Sequence, residues 1–179
     1  TTSNYLPTYN YFKYSLTQQI YTPAELGAHG VISGIEFNNT GTEKTRTIDI
    51  YMVNTTKTTF TSSTDWIPVT AADKVFSGEV TFVNGEWTSI EFDNPFTYDS
   101  TSNVAIIVDD NTGAYTNSPH MENLVYEVDG NQAIYYNSDN TTLDPTTTIS
   151  TSGTRLSKKN HIRITIGEPP ACAKPKNIT

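Results

Sequence analysis

Apolar residues recur at every second position in one short segment after another. A chain written with that period buries them as β-strands, because successive side chains of a strand point to opposite faces. Arg46–Asn54 (RTIDIYMVN) puts Ile48, Ile50 and Met52 on one side and Thr47, Asp49 and Tyr51 on the other. Val31–Phe37 (VISGIEF) puts Val31, Ile35 and Phe37 together, and Ile162, Ile164 and Ile166 repeat the pattern near the end. Asn103–Asp109 (NVAIIVD) is apolar on both faces, as a central strand covered on both sides would be. Short strands with polar turns between them predict an all-β fold, an antiparallel jelly-roll-like β-sandwich.

One short helical turn is expected. Thr22-Pro23-Ala24-Glu25 supplies an N-cap, a proline at the first helical position and a carboxylate at the third, and Gly27 ends it. Two hairpins are expected as well. A three-residue loop at Asn84-Gly85-Glu86 would pair Phe82 with Thr88, Val80 with Ile90 and Gly78 with Phe92, keeping one apolar face and turning Trp87 away from it. A second would turn at Asp129-Gly130 and join Leu124–Val128 to Ala133–Asn137. Tyr136–Arg155, rich in Asn, Asp and Thr, reads as a long loop.

With 179 residues the chain suits one domain, the sandwich covering 1–167. Pro169, Pro170 and Pro175 stop regular pairing after the last strand, so 168–179 reads as a linker leaving a finished module. The lone Cys172 lies in that linker, so no internal disulfide can support the core. Only 17% of the residues are charged and the net charge is −8, with Lys158-Lys159 the densest cationic point. Nucleic acid and anionic membrane are thereby disfavoured as partners, since both need a basic track. No apolar run is long enough to insert in a membrane.

Motifs for catalysis are missing: there is no HExxH, Gly-x-Ser-x-Gly, Walker loop or CxxC, and His29, His120 and His161 stand apart. The expectation is a chain that is not an enzyme, although a carboxylate pair meeting in space could still serve a glycoside hydrolase. Asp109, Asp110 and Asn111, within DDNTG, resemble the first half of an oxygen-donor loop, which would make structural calcium the one cofactor to consider. An Asx turn closing the strand accounts for the same residues and is the preferred reading. Trp66, Trp87, Tyr115, Tyr135 and Tyr136 are the candidate ligand-binding rings, because flat aromatic faces beside Asn and Asp suit a pyranose. Packing roles compete for each of them. Sequons at Asn38, Asn54, Asn140 and Asn177 carry little weight in so Asn- and Thr-rich a chain.

The phrases YSLTQQIYTPAELG, TRTIDIYMVNTTKTTF, DWIPV, VFSGEV, NPFTY and NVAIIVDDNTG, followed by CAKPKNIT, resemble a module of large secreted or surface proteins of Gram-negative gut and oral anaerobes. The resemblance runs from about Tyr14 to the end. It implies a non-catalytic, adhesin-type accessory sandwich at the cell surface or outside the cell, followed by a fibronectin type III-like domain whose first strand would begin in CAKPKNIT. The implied partners are neighbouring domains together with glycan or a host surface protein. A structural spacer without a ligand is the alternative.

Overall fold

The computed structural model describes residues 1–27 and 29–167. The prolyl tail, Cys172, Asn177 and the expected start of a following domain lie outside them. In chain order the elements are β1 (Thr2–Ser3), β2 (Tyr14–Tyr21), α1 (Pro23–Leu26), β3 (Gly30–Asn39), β4 (Lys44–Thr55), β5 (Lys74–Phe82), β6 (Glu86–Tyr98), β7 (Asn103–Asp110), β8 (Asn123–Glu127), β9 (Ala133–Ser138), β10 (Thr154–Leu156), β11 (Lys158–Asn160) and β12 (Ile162–Ile166). One antiparallel sheet runs β10-β9-β2-β7-β4-β5. In the other, β3 lies between β6 and β12, while β8 carries β1 and β11 and meets β3 at the Asn39/Asn123 pair. The fold is the expected all-β sandwich.

Alternation decides which residues fill the space between the sheets. Ile48, Ile50 and Met52 from β4 meet Ile35 and Phe37 from β3 and Val104, Ile106 and Val108 from β7. The opposite parity of β7, Ala105 and Ile107, packs outward under Phe60, Trp66, Ile67 and Val69 from the segment joining β4 to β5. Both faces of β7 are therefore covered, as its composition predicts. α1 is one turn with a complete capping box, Thr22 accepting from the Glu25 N–H and Glu25 accepting from the Thr22 N–H, and Gly27 closes it at φ 59°.

Three sequence expectations need correction. β5 and β6 are not a hairpin: β5 pairs with β4 and β6 with β3, so Asn84-Gly85 carries the chain from one sheet to the other. Val80, Phe82, Ile90 and Phe92 still face the core, which is why the parity was readable although the partner was not. The same holds for the second turn, because β8 and β9 belong to different sheets. In β3 the core-facing residue is Ile32 and not Val31, since a register shift between Ile32 and Gly34 changes the parity.

Candidate functional site

The segment before β2 builds the most distinctive surface. It follows a series of bends and a turn at Asn10-Tyr11: Leu6, Pro7, Thr8 and Asn10 are buried, whereas Tyr5 and Tyr11 are 37% and 45% exposed. Tyr5 stacks on Tyr135 at 4.7 Å between centroids, and its other contact is the edge of Tyr9. Tyr9 in turn touches Tyr11, Phe12 and His120, and His120 packs edge-on against Tyr11 at 5.2 Å. Asn10 ties this platform to the loop before β8, donating to Thr116 Oγ1 at 2.7 Å and accepting from the Met121 N–H at 3.1 Å. With its amide oriented so, Asn10 Nδ2 also donates to His120 Nδ1, leaving Nε2 as the protonated nitrogen of the neutral ring.

A buried ion pair holds the platform from beneath. Arg46 Nε lies 2.6 Å from Asp110 Oδ2, both side chains at most 1% exposed. The rest of the guanidinium donates to the Ala114 and Phe12 carbonyls, one in each of the two segments that carry the rings. Asp110 also accepts from Thr8, Thr112 Oγ1 and the Thr112 N–H, so its lone pairs are well used. A charge pair this dry is tolerable only with its remaining donors and acceptors satisfied.

The predicted site residues fall in different places. Trp66 is 9% exposed, its indole N–H bonded to the Thr151 carbonyl, so it is not the open ring its loop composition suggests. Trp87 does face away from the core, but Arg163 covers its ring at 4.0 Å from the centroid. Tyr136 packs against the outer apolar layer. Tyr135 joins the platform through Tyr5. Tyr115 is 52% exposed, one residue from the Thr116–Asn10 contact.

Asp109 and Asp110 are neighbours on a strand and therefore point to opposite faces. Asp110 goes inward to Arg46; Asp109 lines an outer cleft of about 380 Å³ with Asp49, Tyr51, Lys74, Asn111, Thr142 and Asp144. Asp109 Oδ2 accepts from the Asn111 side chain at 2.8 Å, whereas the Asx turn that closes the strand is made by Asp110, whose Oδ1 accepts from the Thr112 N–H at 3.0 Å. Burial pushes the Asp109 carboxyl up to about 7, and the charges of Asp49, Asp110 and Asp144 add to that. Among the described residues no three carboxylate, imidazole or thiol groups gather as a metal ion requires.

Sequence reasoning missed two features. Lys159, half of the densest cationic point in the sequence, is fully buried, bonded to the Ile20 carbonyl and to both Glu25 oxygens at 2.7 Å. Burial lowers its pKa. In Glu25, burial is outweighed by the hydrogen bonds from Lys159 and Thr22, which leave it below the usual range. The tyrosine platform was also missed, although four aromatic residues within Tyr5–Phe12 (YLPTYNYF) were signal enough.

No protein-family model matches the chain, and no curated protein and no solved structure matches it significantly. Among the described residues no helix is long and apolar enough to cross a membrane.

Proposed function

We propose that this chain is a non-catalytic binding module of an extracellular or cell-surface protein, and that it takes glycan on the tyrosine platform. The observation that carries the reading is the exposure of Tyr5 and Tyr11 on a ring network fixed by Asn10 and His120. Tyrosine offers a large, stiff, amphipathic face at small entropic cost, and a monomer rarely spends such rings on solvent.

A glycan array with the wild-type chain and with Tyr11→Ala and Tyr5→Ala tests this. Binding weakened roughly tenfold or more by either change supports the platform. A folded chain that binds no glycan moves the assignment to a structural spacer. That second reading is favoured by the covered state of both tryptophans, the rings first suspected of binding.

A further inference from the structure

We propose that His120 makes the tyrosine platform sensitive to pH: as a neutral imidazole it closes the ring network, and when it takes a proton it opens it. The turn at Asn10-Tyr11 meets the loop before β8 through the Asn10 amide, whose orientation is fixed at both ends. Oδ1 faces the Met121 main-chain N–H at 3.1 Å, a group that can only donate, so Nδ2 must point the other way. The two hydrogens of Nδ2 go to Thr116 Oγ1 at 2.7 Å and to His120 Nδ1 at 3.1 Å. Nδ1 is therefore the bare acceptor of the ring. An imidazolium carries hydrogen on both nitrogens, and its Nδ1–H would face the Asn10 N–H, donor against donor, at a side chain that is fully buried. Turning the Asn10 amide over gives no relief, because it would set Nδ2 against the Met121 N–H.

The movable part is the His120 ring. Its main chain is held, the carbonyl accepting from the Thr42 N–H at 3.0 Å, whereas the side chain is half-buried and within reach of solvent protons. Swinging outward gives both ring N–H groups to water and withdraws the ring from Tyr9 and Tyr11, which it meets edge-on at 5.6 and 5.2 Å. Tyr11 is then left with Tyr9 and Phe12 alone. An imidazolium is attracted to the same rings, but at an open site that attraction is smaller than the loss of a hydrogen bond to a fully buried amide. The charged groups on the surrounding segments do not reverse the balance. Glu122, on the same loop, bonds Thr2 Oγ1, Glu43 follows Thr42 between β3 and β4, and Arg46 and Asp110 beneath satisfy each other. Among the described residues no ion pair involves His120. A proton thus binds the open platform better than the closed one, and histidine changes charge between pH 8 and 5, so the platform opens as pH falls through that range.

The opening needs no ligand; only its effect on binding rests on the glycan reading. NMR spectra of the full chain without ligand, from about pH 8 to about pH 5.5, test it. The expected result is that the Tyr9 and Tyr11 ring signals and the Asn10 side-chain amide shift along one titration curve with the His120 ring protons. His120→Asn keeps an acceptor near the place of Nδ1 and takes no proton, so it should abolish that shift, which also separates it from the Asp109 titration. Asn10→Asp sets an acceptor opposite Nδ1, so it should hold the rings together at pH 5.5 and let His120 keep its proton to higher pH than in the wild type. The strongest glycan of the array should bind roughly tenfold more weakly at pH 5.5 than at pH 7.5, and His120→Asn should lose that difference. The proposal is overturned if the tyrosine and Asn10 signals stay put while His120 gains its proton, or if His120→Asn shifts as the wild type does. A chain whose rings open in acid but which binds no glycan, or binds it equally at both pH values, overturns the glycan reading and leaves the switch standing.

Discussion

Replacing Asp109 with Asn should stabilise the protein, and only on the alkaline side. In the fold the carboxyl titrates near 7, and in the unfolded chain near an ordinary 3.8. Between those limits the folded state holds a proton that the unfolded state has released, so wild-type stability falls as pH rises from about 4 to about 7. Once both forms are ionised the penalty approaches roughly 4 kcal/mol, an upper limit because the site relaxes around the charge. An amide at 109 carries no such penalty and can still pair with Asn111. Thermal melts of wild type and Asp109→Asn should therefore coincide near pH 4 and separate progressively to pH 8. At about 2–4 °C per kcal/mol for a chain of this size, the separation would reach roughly 10 °C. Asp129→Asn, at an exposed position, controls for the general effect of removing one negative charge from an acidic chain. Equal melting temperatures at pH 8, or a gap of constant size across the range, would refute the reasoning.

Arg46→Met should cost about 3–5 kcal/mol, because it strands the Asp110 carboxylate in the interior; denaturant titration reads it, and a loss below about 1 kcal/mol would mean water reaches the pair. Lys159→Met should cost less, about 1–3 kcal/mol for the lost charged hydrogen bonds, because Glu25 keeps contact with solvent; Lys159→Met combined with Glu25→Gln should recover part of it, measured in the same way. Gly153→Ala should cost about 1–3 kcal/mol, since its Cβ would fall 2.6 Å from the Trp66 ring and 2.9 Å from the Tyr135 carbonyl oxygen; an unchanged melting temperature would contradict that packing. Acrylamide should quench Trp66 emission poorly, and Trp87→Phe isolates that signal for measurement.

Strand parity was legible because it depends on neighbours in sequence. Ile48, Ile50 and Met52 face inward whichever strand they pair with, whereas the partner of β5 depends on where the chain goes after Gly85. A turn that joins two sheets and a turn that closes a hairpin use the same residues, so both expected hairpins failed at the same step. The buried charges were partly legible: Arg46 shares the parity of Ile48, and Asp110 that of Ile106 and Val108. A charge at a core-facing position on each of two strands predicts a pair. Lys159 had no such clue, because β11 is three residues long and shows no period. The platform is not legible as a period, because its segment bends and turns outside any strand and its rings meet only in space.

Inner and outer side chains divide the labour of the first dozen residues. Leu6, Pro7, Thr8 and Asn10 are buried against the sandwich, and the rings of Tyr5 and Tyr11 stand outside it with Tyr9 half-buried between them. Substitution at the outer set changes the chemistry the surface offers while the inner set goes on sealing the core.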